Sequence, residues 1–196
     1  MPTSPKIPKS LILEKSLELL IEEGWNNVNI KTIAKKIGCS TQPISWHFKN
    51  MDGLRSSLSI FAYEYANKLM EPNEDDPHPF SSVGDVFVDI AFEKPNLYKF
   101  LYLDGGSKYS LGGLKEIKED KGNDEIADFL AKKYDSTKEN MMNYILDIIV
   151  YTQGILSFKV SGIIDASKEE IKEKIANVSK ALLMQYLKRQ LRGLEI

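Results

Sequence analysis

A short predicted helix that begins near Ser40 carries the side chains of this sequence that are best suited to chemistry. Gln42 lies in its first turn, and its carboxamide has the donor and the acceptor that pair bidentately with an adenine edge. Pro43 can offer only an apolar contact, for example to a thymine methyl group. Further side chains suited to phosphate contacts are Thr41, Trp46, His47 and Lys49. The chemistry that this set indicates is the reading of a DNA groove.

Two short helices joined by a tight turn must position these side chains. Asn29 is a candidate cap for the first helix, and Gly38 is suited to end it because glycine tolerates the left-handed conformation. Ser40 is expected to cap the second helix, with Pro43 in the first turn, where a missing N–H costs nothing. The apolar residues expected to pack the pair are Ile30, Ile33, Ala34, Ile37, Ile44 and Phe48. This arrangement is a helix-turn-helix, whose second helix enters the major groove.

Helical periodicity continues on both sides of this pair. An amphipathic helix before it is expected to end at Gly24, and Asn50 or Asp52 is expected to cap a long helix that reaches Met70. The later helices are expected at about 82–92, 96–103, 124–134, 137–160 and 168–192. No strand is predicted anywhere in the chain.

Capping-box pairs mark the start of two of these later helices. In a capping box, a Ser or Thr and a Glu three residues later satisfy each other's backbone N–H groups. The pairs are Ser136 with Glu139 and Ser167 with Glu170, and Gly193 is expected to close the last helix.

Composition and charge indicate the general class. The chain has 196 residues, 42% hydrophobic and 28% charged, which is the balance of an ordinary globular protein. The sequence has no apolar stretch long enough to span a membrane and no recognisable secretory signal. Cys39 is the only cysteine, so the chain cannot form an intramolecular disulfide. We therefore expect a cytoplasmic location. Residues 1–55 carry eight basic and five acidic side chains, a net charge of +3, whereas the remainder carries −5. A basic head on an acidic body suits DNA contact at one end.

Residues 12–58 resemble the N-terminal domain of TetR-type transcriptional regulators. The positions that match this pattern, without gaps, are Ile12, Gly24, Ile33, Ala34, Gly38, Ser40, His47, Phe48, Lys49, Asn50 and Leu54. The resemblance implies an all-α fold, with a three-helix helix-turn-helix head over residues 1–55 and a larger helical ligand-binding and dimerisation body over residues 56–196. The sequence departs from the pattern at Ser45, where most members carry a tyrosine that approaches the DNA backbone. Ser45 can still donate to a phosphate, at shorter reach.

The candidate DNA-binding residues combine the reading helix with the start of the helix before it. They are Asn29, Lys31, Ser40, Thr41, Gln42, Pro43, Ser45, Trp46, His47 and Lys49. Two such heads in a homodimer would bind a palindromic operator. The resemblance implies that the last two helices of each protomer form the dimer interface. The helix over 141–160 is apolar nearly all round, and such a helix must be buried on both sides.

Aromatic and polar side chains on the predicted body helices could line an apolar cavity with polar handles. The candidate ligand-binding residues are Phe61, Tyr65, Tyr98, Tyr102, Tyr144, Tyr151 and Gln153, with plain core packing as the alternative for each. The resemblance implies an unidentified small apolar or amphipathic ligand. Its binding would tilt the helix over about 52–70 and lower the affinity for the operator. A repressor released by a small-molecule ligand is therefore the expected function.

An enzyme is the main competing hypothesis from another class. The sequence has no Gly-rich phosphate loop, nucleophile motif or cluster of metal ligands, and His47 and His78 are isolated, so we expect no catalysis, cofactor or metal. Two non-enzymatic functions also stay open. One is a helix-turn-helix activator or regulator without a small-molecule inducer, and the second is a helical protein–protein module whose head no longer binds DNA.

Overall fold

The computed structural model describes residues 7–71, 79–104 and 117–191. Every regular element in these ranges is helical, and they contain no strand, in agreement with the predicted all-α fold. Backbone contacts divide the chain into two compact units. Of the described residues, the first unit holds 7–71 and 89–104, and the second holds 79–88 and 117–191.

The helix bounds lie within a few residues of the predicted ones. The first four helices are α1 (Lys9–Glu23), α2 (Ile30–Ile37), α3 (Gln42–Phe48) and α4 (Met51–Met70), with a 3-10 turn over Trp25–Asn27. The later helices are α5 (Pro79–Glu93), α6 (Pro95–Tyr98), which continues as a π-helical turn over Lys99–Leu103, α7 (Lys121–Lys133), α8 (Lys138–Val160) and α9 (Lys168–Leu191). None of the helices in the described ranges is long and apolar enough to cross a membrane.

Local chemistry fixes the ends of α1 and α2 as predicted. Gly24 and Gly38 end these helices with φ values of 82° and 77°, in the left-handed region that favours glycine. At the start of α2, the Asn29 Oδ1 atom accepts from the N–H groups of Lys31 and Thr32 at 3.0 and 3.1 Å. The Thr32 Oγ1 atom accepts from the Asn29 N–H at 3.0 Å, which completes a capping box.

The start of α3 differs from the prediction, because Ser40 does not cap it. The helix begins at Gln42, after Thr41, and no side-chain hydrogen bond caps its first turn. Thr41 already has helical backbone angles, φ −71° and ψ −16°, whereas a capping residue needs an extended backbone to fold its oxygen over the first N–H groups. Pro43 does lie in the first turn of α3, as predicted.

Residues 95–103 complete the first unit by packing against α1 and α4. The Asn96 side chain donates to the backbone carbonyl of Ile21, at the end of α1, over 3.1 Å. The Phe100 ring lies 5.2 Å from the Trp25 ring, centroid to centroid. The Arg55 guanidinium of α4 lies over both rings, 4.7 Å from the centroid of Trp25 and 5.4 Å from that of Phe100. These contacts tie the helix-turn-helix region to a segment encoded far downstream.

The second unit has its own apolar core, built mainly from α7 and α8. Its buried residues are Ile126, Ala127, Leu130, Met141, Met142, Tyr144, Ile145, Ile148 and Tyr186. Two polar contacts join α8 to α9 beside this core. The Tyr144 hydroxyl hydrogen-bonds to the Ser179 hydroxyl at 2.5 Å, and the Tyr186 hydroxyl donates to the Asp147 carboxylate at 2.7 Å.

One of the two predicted capping boxes is present, and the second is wrong. At α9, the Ser167 Oγ atom accepts from the Glu170 N–H, and the Glu170 carboxylate accepts from the Ser167 N–H, so this box is confirmed. At α8, the cap is Thr137, whose Oγ1 atom accepts from the Asn140 N–H at 3.2 Å, while Ser136 is one residue too early. Gly193, the predicted end of α9, lies outside the described residues.

The carbonyl at the end of α3 lies directly against the first turn of α4. A Cβ atom at Gly53 would overlap with the Phe48 carbonyl oxygen, and backbone cannot swing aside as the end of a flexible side chain can. We therefore expect Gly53→Ala to lower the free energy of unfolding by about 1–3 kcal/mol. Denaturant titration of the full chain followed by circular dichroism measures this change.

Gly84→Ala on α5 is the matched control for this substitution, because nothing lies within 4 Å of its Cβ position. It should raise the free energy of unfolding by about 0.5–1 kcal/mol, since alanine favours a helix more than glycine does. Changes of the same sign in the two variants would contradict the close approach at Gly53.

Candidate nucleic-acid interface

Two buried side chains set the orientation of α3. Ile44 and Phe48 are one helical turn apart and both are buried, as predicted. The buried residues of α2 are Ile33 and Ala34, which also match the predicted packing. A helix of seven residues that buries one stripe must turn its other side chains outward.

The outward side of α3 carries the polar residues that were predicted to read DNA. Thr41, Gln42 and Ser45 are all exposed, and Gln42 and Ser45 lie three residues apart, on one face of the helix. Ser40 is exposed in the turn before them, and Pro43 is half-buried. The structure therefore exposes Gln42 and Ser45 on one face of a short, anchored helix, with Ser40 and Thr41 exposed just before it.

Trp46 belongs to this exposed side rather than to the core. Its side chain is 61% exposed, so the indole does not cover the packed interior of the head. Its ring meets the His47 ring edge to face, with the centroids 4.9 Å apart. A large planar side chain held in this way can lie against a sugar or a phosphate.

Asn29 and Lys31 lie at the start of α2 and have different surroundings. The Asn29 side-chain oxygen is already occupied by the capping hydrogen bonds, so its first role is to hold the start of α2. Lys31, in the first turn, has an exposed side chain that ends in an ammonium group. The pair places one fixed polar group and one positive charge at the start of α2.

The end of α3 is formed by Lys49 and Asn50. Lys49 is exposed, and its φ of 64° turns the chain sharply between α3 and α4. The Asn50 side chain then accepts from the Gly53 N–H at 2.9 Å and caps α4, which decides between the two predicted caps in favour of Asn50. The cap leaves other N–H groups of the first turn of α4 beside Lys49, a favourable setting for a phosphate.

His47 makes a contact that the sequence did not signal. Its Nε2 atom lies 3.0 Å from the backbone carbonyl oxygen of Ile7, which is 40 positions earlier in the sequence. Lys9, at the start of α1, has its ammonium 5.4 Å from the centre of the Phe48 ring. The chain just before and at the start of α1 therefore lies beside the second half of α3.

Ion pairs between α1 and α2 fix the charges on the side of the head. The Lys36 ammonium lies 2.7 Å from the Glu22 carboxylate and 3.5 Å from that of Glu18. The hydrogen bond from Lys15 and the nearby Lys36 hold the pKa of Glu18 below its ordinary value, and the contact with Glu22 raises the pKa of Lys36. Lys36 is thus engaged with carboxylates, whereas Lys35 is exposed.

The candidate ligand-binding residues divide between the two units. Phe61, Tyr65, Tyr98 and Tyr102 belong to the first unit, and Tyr144, Tyr151 and Gln153 belong to the second. In the first unit, Tyr98 is fully buried and its ring lies 5.1 Å from that of Tyr102. Burial, together with the neighbouring Tyr63 and Tyr98, raises the pKa of the Tyr102 hydroxyl far above its ordinary value.

Within the second unit, Tyr144 is a buried core residue, and its hydrogen bond to Ser179 accounts for its hydroxyl. Burial raises the pKa of Tyr144, and the bond to Ser179 partly opposes this shift. Tyr151 and Gln153 are half-buried on α8, and Tyr151 lines an open groove between α8 and α9.

Metal-ligating side chains do not cluster in the part of the chain that the structure describes. No group of three or more His, Cys, Asp or Glu residues there could hold a metal ion. Cys39 is half-buried in the turn between α2 and α3, and His78 lies outside the described residues.

Comparisons with known proteins agree with this geometry. The family model described as bacterial regulatory proteins, tetR family, matches residues 12–58. The biofilm operon icaADBC HTH-type negative transcriptional regulator IcaR of Staphylococcus aureus strain Newman is 20% identical over 183 residues, covering 85% of this chain and 94% of IcaR.

Solved structures extend the similarity over nearly the whole chain. A single-residue variant of TetR from Acinetobacter baumannii AYE, in complex with minocycline, matches with a TM-score of 0.60 and 13% identity, over 93% of this chain and 94% of that one. A TetR transcriptional regulator from Rhodococcus sp. RHA1 matches with a TM-score of 0.55 and 13% identity, over 89% and 94%. The family model therefore places residues 12–58, the helix-turn-helix region, with the bacterial regulatory proteins of the tetR family, and the solved structures show that the chain shares their fold.

Proposed function

We propose that this protein is a sequence-specific repressor that binds a palindromic operator as a homodimer and is released by a small-molecule ligand. The observation that supports the DNA-reading part of this proposal is that α3 has one buried side and one exposed side. It buries Ile44 and Phe48 and exposes Gln42, Ser45 and Trp46, with Thr41 exposed just before its first turn. The repressor direction is supported by IcaR, whose name describes a negative regulator. The cytoplasm, where an operator is accessible, stays the proposed location.

The proposed roles follow from side-chain chemistry. Gln42 pairs with an adenine edge, and Pro43 offers an apolar contact to a base. Thr41, Ser45, Trp46 and Lys49 contact phosphates and fix the register of α3 in the groove. The flanking candidates Asn29, Lys31, Ser40 and His47 complete the proposed surface. Ser45 reaches less far than the tyrosine that is common at this position, and the exposed Trp46 is the aromatic group best placed to compensate.

Substitution of Gln42 tests the base-reading role. Duplexes enriched from a random pool by the wild-type protein serve as the probe, and fluorescence anisotropy measures binding to each single-base variant. Gln42→Ala should lose the preference for one adenine in each half-site, a discrimination of roughly 5- to 150-fold, because a bidentate pair is worth about 1–3 kcal/mol.

The control for this experiment is Asn26→Ala, which removes an exposed amide from outside α3. It should retain the wild-type base preference. If Gln42→Ala discriminates among the duplexes as the wild type does, Gln42 is not the base reader. If the wild-type protein enriches no duplex at all, the repressor proposal itself fails.

An exposed apolar surface on the second unit supports the proposed homodimer. An open groove of about 440 Å³ is lined by Leu146, Asp147, Val150 and Tyr151 of α8 and by Val178 and Leu182 of α9. Val150 is 55% exposed, and Met184 on α9 is 50% exposed. The opposite side of α8 is buried in its own unit, as expected for a helix that is apolar nearly all round. A second copy of the chain is the proposed cover for this surface.

Val150→Asp tests the dimer interface, because it introduces a charge that the partner would have to desolvate. We expect the variant to sediment as a monomer in analytical ultracentrifugation at concentrations where the wild type is a dimer. Phe129→Asp on α7, at a position that is 37% exposed, is the matched control and should remain dimeric. A dimeric Val150→Asp with the wild-type dissociation constant would exclude this surface as the interface.

Residues 95–103 support the ligand-release part of the proposal. They carry Tyr98 and Tyr102, and they contact α1 and α4 of the same unit through Asn96 and Phe100. A π-helical turn is a common feature of functional sites, and this one holds Tyr102. A ligand that displaces the tyrosines would therefore shift the surroundings of Arg55 and, through α4, the spacing of the two reading helices. The functional division into a DNA-binding domain over residues 1–55 and a ligand-binding and dimerisation domain over residues 56–196 belongs to this proposal.

Release by a ligand requires that the ligand bind the two conformations with different affinity. Native mass spectrometry of the freshly purified dimer, followed by solvent extraction, identifies any small molecule that co-purifies. Minocycline, present in the Acinetobacter structure, is a second probe. At least one of these molecules should lower the affinity for the selected duplex by roughly 5- to 150-fold, the usual range of allosteric coupling. If the stripped and the ligand-loaded proteins bind the duplex equally, release by that ligand is wrong.

A further inference from the structure

A carboxylate lies in the open groove between α8 and α9. Among the described residues that line this groove, Asp147 is the charged one, and most of the others are aliphatic. The Tyr186 hydroxyl donates to the Oδ2 atom of Asp147 at 2.7 Å, and Tyr186 itself is buried. Asp147 is exposed. A core residue therefore holds one carboxylate oxygen in place, while the carboxylate still faces solvent.

The Asp147 carboxylate has no cation beside it within the described part of the chain. None of the ion pairs among the described residues includes Asp147, whereas Lys172 of α9 pairs with Asp85 at 2.9 Å. A second copy that covers the groove would remove water from this carboxylate, and burial of a charge without a partner opposes association. An interface that closes here must therefore supply a cation to Asp147 or lose affinity.

The exposed side of α9 next to the groove carries two lysines. Lys174 and Lys188 share one side of this helix with Val178, because steps of three and four residues connect them through Ala181 and Gln185. Val178 lines the groove, and both lysines are exposed. Neither lysine forms an ion pair with a described residue. The surface that a second copy would meet thus offers ammonium groups as well as a carboxylate.

We propose that Asp147 is a specificity residue of the homodimer, and that its carboxylate, held by Tyr186, pairs with the ammonium of Lys174 or Lys188 from a second copy of the chain. The inference rests on the homodimer proposed above and adds the charge pair by which the chain selects its own copy. A two-fold interface repeats every contact, so the pair occurs twice. A chain without a cation at the matching place would leave two carboxylates buried without partners, which disfavours mixed dimers.

Asp147→Asn tests the pair by the sign of its effect. Asparagine keeps an oxygen that accepts from Tyr186 but removes the charge. The dissociation constant of the dimer, measured by analytical ultracentrifugation, should rise roughly 30-fold or more, because a buried ammonium would lose its partner. A carboxylate buried without a cation predicts the opposite, a lower dissociation constant. A lowered or an unchanged constant would therefore overturn the proposal.

Substitution of the lysines identifies the partner of Asp147. Lys174→Met and Lys188→Met remove the charge and keep an apolar side chain, and one of them should weaken the dimer as Asp147→Asn does. Combined with Asp147→Asn, that variant should cause little further loss, since both ends of the pair are already gone. If neither lysine variant weakens the dimer, or if the two losses simply add, the pair does not exist.

The matched control is Lys180→Met. Lys180 is exposed on the same helix, two residues after Val178, and so points away from the groove. This variant should keep the wild-type dissociation constant. An equal loss of affinity in the control would assign the effect to net charge and contradict the pairing.

An exchange of charges provides the closing experiment. Asp147→Lys should be monomeric alone, and so should the aspartate variant of the identified lysine, Lys174→Asp or Lys188→Asp, because each homodimer would face like charges twice. Mixed, the two variants should form a heterodimer in native mass spectrometry, since opposite charges then meet at both sites. Circular dichroism checks that each variant is folded. Folded variants that stay monomeric when mixed would overturn the pair.

The outcomes separate this inference from the proposed function. If the wild-type protein is a dimer that Val150→Asp dissociates, but Asp147→Asn does not weaken it, the charge pair is wrong while the proposed interface stands. If the wild-type protein is a monomer at every concentration, the homodimer itself fails and the pair fails with it.

Discussion

Burial of Ile44 and Phe48 is the constraint on which the candidate reading surface of α3 depends. A helix of seven residues is too short to be stable by itself in water, and α3 also lacks a side-chain cap. Its helical state must come from packing, where each buried apolar side chain contributes about 1.5–3 kcal/mol. Because the same two residues fix the rotation of α3, they also decide which side chains face outward. The packing that stabilises α3 therefore also sets the orientation of its exposed side chains.

Cys39 is a free thiol in the turn between α2 and α3, so no disulfide closes the described head. The head compensates by close backbone approach and by capping. Gly53 allows the end of α3 to lie on α4, and Asn29 and Asn50 satisfy backbone N–H groups at the starts of α2 and α4. Short helices joined by tight turns are thus held in one arrangement by side chains of modest size.

Features decided by local chemistry could be predicted from the sequence. The left-handed ends at Gly24 and Gly38 and the caps at Asn29 and Ser167 follow from residue type and spacing alone. The prediction of helix caps was wrong where two neighbouring residues were both chemically able to cap the same helix. Ser40 and Ser136 are chemically suitable caps, but the backbone decides which residue precedes each helix: Thr137 caps α8 in place of Ser136, and no side chain caps α3.

Contacts between distant parts of the chain left no local signal. The hydrogen bond between His47 and Ile7 and the stacking of Arg55 on Phe100 join residues whose proximity depends on the packed fold. A histidine on an exposed helix could equally have contacted a phosphate, and an aromatic residue on a body helix could equally have lined a cavity. The candidate reading face was predictable because one helix carries it, whereas the candidate ligand residues come from several helices.

The packing of Trp25, Arg55 and Phe100 has a consequence for how such proteins can evolve. The helix-turn-helix is not finished by the residues that precede α4, because Asn96 and Phe100 close one side of it. A recombination event that joined this head to the body of a relative would replace Asn96 and Phe100 with residues that evolved beside a different head. A chimera would therefore keep the packing of this helix-turn-helix only if residues 95–103 were transferred together with the head, although the two are far apart in the sequence.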